Sequence, residues 1–149
     1  MSKYPDGGVY ILKIKLEKEI EIKIGALGKK TFPPGYYFYA GTAQRNLKAR
    51  INGHYSFNKI YHWHIDYFLA EADLENDFVF ELPGEGECFL ARILIDNGGN
   101  TLIDGFGASD CICGSDLIYF SLTEGKNILE NLTAAHNLEA EFYNSTRNE

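Results

Sequence analysis

Gly8-Val9-Tyr10-Ile11-Leu12-Lys13-Ile14-Lys15-Leu16 is the stretch on which the fold class turns. β-Branched and aromatic residues dominate it, and its second half alternates apolar with basic side chains, the period of a strand. Glu19-Ile20-Glu21-Ile22-Lys23-Ile24 alternates more cleanly. The two segments predict a hairpin turning at Glu17-Lys18. Gly25 to Lys30 and Phe32-Pro33-Pro34-Gly35 read as loops. Tyr36-Tyr37-Phe38-Tyr39-Ala40 is an aromatic third strand closing at Gly41.

Beyond it the pattern turns helical. Asn46 to His54 predicts a helix with Asn46 as N-cap and Gly53 weakening its end. Tyr61 to Glu71 is read as a second helix and Phe78 to Leu82 as a short strand ended by Pro83. Glu85 to Asp96 predicts a third helix, with Phe89, Leu90, Ile93 and Leu94 on its apolar side. Leu102-Ile103 and Leu117-Ile118-Tyr119-Phe120 read as short strands around a glycine-rich loop. Leu129, Leu132, Ala135, Leu138 and Phe142 recur at helical spacing, so residues 123–149 are expected to be an amphipathic helix with a frayed tail, part of the same domain as residues 1–122. The class is α+β, a small, mostly antiparallel sheet flanked by helices.

The chain has 149 residues, 45% of them hydrophobic, enough for one domain around one core. No apolar run approaches the roughly 18 residues of a membrane span, and Met1 to Asp6 lacks the apolar stretch of a secretory signal. Three cysteines, an odd number, speak against a disulfide framework and for a reducing compartment, so a cytoplasmic location is expected. The net charge of −7 argues at first against a polyanionic partner. Its distribution reverses that. Residues 1–60 hold eleven Lys/Arg against four Asp/Glu, a net +7, and residues 61–149 hold three against seventeen, a net −14. Such a split predicts a one-sided electrostatic surface, although basic strand residues that merely face solvent would give the same count.

Gly8-Val9-Tyr10 and Tyr39-Ala40-Gly41 resemble the two halves of the GIY-YIG motif of a nuclease superfamily. Arg50 and His54 lie four apart on one helical face, where that superfamily carries an arginine and often a histidine. Glu87 opens a predicted helix, where it carries a metal-binding glutamate. The 28 residues between Tyr10 and Tyr39 exceed its usual short hairpin. One branch, the Uri-type endonucleases, has such an insert. Its hallmarks are similar to Gly41-Thr42-Ala43 with Leu47-x-x-Arg50-x-x-x-His54, then His62-Trp63-His64-Ile65-Asp66-Tyr67, then Phe106-Gly107-Ala108-Ser109-Asp110-Cys111-x-Cys113. The resemblance runs from about Gly8 to Phe120, and departs from the family where Asp116 stands in place of a histidine.

The resemblance implies a DNA endonuclease that hydrolyses phosphodiester bonds with one divalent cation, Mg²⁺ or Mn²⁺, acting in repair or in removal of foreign or branched DNA, with DNA and a repair protein as partners. Tyr10 or Tyr39 would take the proton of an attacking water, and Glu87 would hold the metal. These roles suit the residue types. A carboxylate fits a hard cation that keeps several waters. A phenol, of pKa about 10, is a poor base unless cations assist it. Arg50 is permanently charged and can hold a phosphate with two hydrogen bonds, while His54 can orient the tyrosine or act as base itself. Arg45 and Lys48 would meet phosphates as diffuse charge. Asn97 and Asn100 straddle the place where the superfamily often has an asparagine.

Other readings compete. Tyrosines in a chain with ten of them are commonly core aromatics, and Arg50 can be a solvated helix residue. Glu85 rivals Glu87, whose setting in Glu-Cys-Phe-Leu-Ala fits the family better. His62-x-His64-x-Asp66 looks like the start of a zinc-hydrolase site but is followed only by His136; a structural block with Trp63 and Ile65 buried is the preferred reading. Cys111 and Cys113, with Cys88 and Asp116, form at best an unusual zinc site, and plain thiols are preferred. The alternative function is a nuclease-like fold that binds nucleic acid or a protein without cutting.

Overall fold

The computed structural model describes residues 7–43, 45–56, 63–80, 86–103, 106, 117–128, 130–131 and 141–143, the side chains at 86–88 and 141–143 excepted. Its elements are strands β1 (Gly8–Leu16), β2 (Ile20–Lys23), β3 (Lys29–Phe32) and β4 (Gly35–Ala43), helices α1 (Leu47–Tyr55) and α2 (His64–Leu69), strand β5 (Asp73–Phe80), helix α3 (Gly86–Asp96), and strands β6 (Leu117–Phe120) and β7 (Glu141–Tyr143). Five strands form one sheet in the order β6-β4-β1-β5-β7, and β2-β3 form a second, two-stranded one. Every pairing between these strands is antiparallel. The fold is α+β.

β1 is the centre of the sheet because its apolar residues can be buried on both faces. Tyr10, Leu12, Ile14 and Leu16 face a core completed by α1, α2 and the β2-β3 sheet. Val9 and Ile11 face a second core, completed by Leu90, Ala91 and Leu94 of α3. Helices therefore cover both faces. The basic half of β1 does not simply face solvent: Lys13 is 6% exposed. Its Nζ donates to the carbonyl of Lys126 at 2.6 Å and lies 5.0 Å from the centre of the Tyr36 ring, contacts that offset the cost of burying an ammonium.

Several sequence expectations are corrected. β1 and β2 do not form a hairpin, because both edges of β1 are occupied by β4 and β5 and β2 pairs with β3 instead. The expected loop around residues 25–35 contains a 3-10 turn at Gly25–Leu27 and all of β3. Strand β5 starts five residues earlier than its apolar run suggested, at Asp73. Asn46 does precede α1, but with φ 54° and no side-chain cap bond, a left-handed conformation that asparagine tolerates better than most residues. Phe89 is 49% exposed rather than on the buried side of α3. Leu102-Ile103 is not a strand; Asn100 bridges to Tyr119 instead. Phe142, expected on a helix, lies in β7 opposite Phe78.

Candidate active site at one end of the sheet

Strand register brings the motif residues together. Gly8 lies opposite Ala43 and Tyr10 opposite Gly41, while Val9 lies opposite Phe80 on the other edge of β1. The start of β1 and the ends of β4 and β5 thus share one end of the sheet. The chain continues from β4 into α1 and from β5 towards α3, so both helices begin after strands that end there. Tyr10 and Tyr39 lie on the α1 side, within the same core as Leu47 and Ile51. Gly41 is the residue that lets Tyr10 fit. A Cβ there would come within 2.5 Å of Cζ and 2.6 Å of the hydroxyl of Tyr10, closer than packed atoms can approach.

The Tyr10 hydroxyl shares a 2.8 Å hydrogen bond with Nε2 of His54. Each of these residues is only 2% exposed. His54 reaches Tyr10 because the period of α1 aligns it with Leu47 and Ile51, all three turned into the core. Arg50, one turn earlier, donates from a guanidinium nitrogen to the carbonyl of Thr42 at 3.0 Å, and its guanidinium carbon lies 4.9 Å from the centre of the Trp63 ring. That ring in turn lies 6.1 Å from His54. Tyr39 is 7% exposed, with its ring 6.2 Å from His54 and 6.3 Å from Phe106. Arg45 and Lys48 are exposed at the start of α1. A basic, aromatic surface thus borders a buried phenol–imidazole pair.

Tyr37 provides a contrast. Its hydroxyl donates to the carbonyl of Pro33. Burial, with a smaller contribution from Tyr119, pushes its phenol far above the ordinary tyrosine value. It is a core tyrosine that keeps its proton.

Glu87 lies in the first turn of α3, one turn before Leu90 and Ala91, which pack on the sheet; its side chain, like that of Cys88, is outside the description. Glu85, His62, Cys111, Cys113, Asp116 and His136 lie outside the described residues. Among the described residues, no three His, Cys, Asp or Glu side chains converge on a point. Asp66 is 2% exposed and accepts the Trp63 backbone N–H at 3.0 Å, closing the start of α2, while His64 packs 5.6 Å from Phe106. Asn97 donates to the carbonyl of Ile93 at 2.8 Å and Asn100 bridges to Tyr119. Ile65 is buried as expected. Trp63 is not: 46% of it is exposed. Its place immediately before a helix was the signal available, because an N-cap side chain stands at the helix mouth rather than on its packed face.

The family model described as domain of unknown function DUF123 matches residues 9–139, and the chain belongs to that family. No curated protein and no solved structure matches it.

Proposed function

We propose that this member of the DUF123 family is a divalent-metal-dependent DNA endonuclease of the GIY-YIG type, similar to the Uri branch. The observation that carries the reading is the Tyr10–His54 hydrogen bond with Arg50 one helical turn away. A phenol bonded to an imidazole nitrogen can pass its proton on while accepting another. In the proposed reaction the oxygen of a water forms a bond to phosphorus. Its proton moves to the Tyr10 oxygen as the phenol proton moves to Nε2 of His54, and the bond from phosphorus to the leaving oxygen breaks. Arg50, braced by Thr42, offers its remaining N–H groups to the phosphate oxygens. The wall formed by Tyr39 and Trp63 holds His54 in place.

Glu87 would supply one carboxylate, and a single carboxylate suits Mg²⁺ or Mn²⁺, which retain most of their waters. When bound, such an ion supplies charge stabilisation at the leaving oxygen. A role in DNA repair or in removing foreign or branched DNA, and a repair-protein partner, belong to the same proposal.

Burial favours a second reading, a non-cleaving binding module, because Tyr10 and His54 are nearly closed to solvent. Incubation with single-stranded, duplex, nicked and branched DNA in Mg²⁺, Mn²⁺ or chelator separates the two. The nuclease reading expects metal-dependent cutting of at least one substrate. Binding to DNA without cutting in any metal would support the module instead.

A further inference from the structure

Trp63 is held at the surface while its neighbours in α2, Ile65, Phe68 and Leu69, are fully buried. It is fixed in place. Its backbone N–H donates to the Asp66 carboxylate at 3.0 Å and its carbonyl accepts the Asp66 N–H at 3.0 Å. Asp66 is itself buried, so the indole projects from the head of a docked helix rather than from a wandering loop. The Arg50 guanidinium lies over the ring, and the exposed Arg45 and Lys48 extend the positive charge along α1. All three lie within residues 1–60, which carry a net +7 in a chain of net −7.

We propose that Trp63 and Arg50 form a seat for one nucleotide of an unpaired DNA strand, the indole stacking on the base and the guanidinium holding the adjoining phosphate. This rests on the reading of DNA as substrate and adds its form. A base inside a duplex is already stacked on both faces, whereas an unpaired base offers a π-face to an exposed aromatic. With 46% of Trp63 exposed beside the guanidinium, the indole can still be reached by a base. Arg45 and Lys48 then track the phosphates on either side, without reading sequence. The preferred substrate is a single strand, a flap or a melted junction.

The chain has one tryptophan, so its emission reports on Trp63 alone. The full chain, with cations chelated to prevent cutting, is titrated with a short oligothymidylate and with a hairpin duplex of equal nucleotide number. The single strand should quench the emission strongly and the duplex hardly at all. By the anisotropy of end-labelled DNA, which needs no tryptophan, Trp63→Leu should weaken oligothymidylate binding about tenfold and duplex binding much less, and Trp63→Phe should recover most of the loss. Equal quenching by both DNAs, or unchanged oligothymidylate affinity in Trp63→Leu, would overturn the proposal. The titration of the parent needs no variant to fold. It is also independent of cleavage: a chain that stacks single strands but never cuts would support this seat and remove the nuclease reading. One that cuts duplex with no quenching would do the reverse.

Discussion

Two tyrosines enter the motif as equals, and their contacts make them different. The Tyr10 hydroxyl is bonded to His54, whereas the Tyr39 ring stands edge-on to His54 at 6.2 Å. Tyr10→Phe keeps the ring that fills the space above Gly41 and removes the proton donor. Folding should change little, and single-turnover cleavage should fall about a hundredfold or more. Tyr39→Phe should lose much less. Near-normal cleavage by Tyr10→Phe would move the base elsewhere. Gly-x-Tyr and Tyr-x-Gly were legible in the sequence, but the reason they belong together was not. The second glycine is small because the first tyrosine lies across it, and a cross-strand fit of that kind leaves no trace in composition or period. Trp63 was misread for a related reason: a large aromatic is usually buried, and only the position at the mouth of α2 says otherwise.

The helices were the more legible elements. α1 and α3 repeat their apolar residues over two turns or more, and each lies within a residue or two of its expected bounds. Strand partners were less accessible. The short turn between β1 and β2 suggested a hairpin, yet β4 and β5, distant in the chain, take both edges of β1. β7 has three residues, too few to show a period against the helical spacing of Leu129, Leu132 and Ala135. β5 hid its first five residues behind polar side chains, one of which, Asp77, is wholly buried and accepts the Tyr55 hydroxyl at 2.6 Å. That bond ties the end of α1 to the sheet. Tyr55→Phe takes a donor from a buried carboxylate and should cost about 1–3 kcal/mol in urea denaturation. Because Tyr55 sits next to His54, a loosened α1 should also lower the cleavage rate, though by less than Tyr10→Phe. A variant as stable as the parent would mean that the bond contributes nothing to holding α1.

Across the molecule, the exposed basic residues nearest Tyr10 and His54 are those at and just before the start of α1. Lys48 and Arg50 belong to α1, which covers one side of the sheet, and Arg45 lies just before it. Lys126 is exposed on the α3 side, where its carbonyl is bound by Lys13. Lys48→Glu should therefore weaken DNA binding for all sequences and reduce its salt dependence by about one phosphate contact or more. Lys126→Glu should do neither, and equal losses would contradict the one-sided surface. No helix among the described residues is long and apolar enough to cross a membrane. The proposed mechanism depends most on Glu87, whose backbone lies in the first turn of α3, where the sequence suggested a helix opens. Glu87→Gln keeps the shape of the side chain and removes its charge. The decisive measurement is the cleavage rate of parent and Glu87→Gln across a range of Mg²⁺ concentrations, on whichever DNA the parent cuts best. Loss of the cation's charge stabilisation, worth several kcal/mol, should lower the rate about a hundredfold or more at every concentration, with DNA affinity in chelator unchanged or tighter. A Glu87→Gln protein that cuts as fast as its parent would contradict the account.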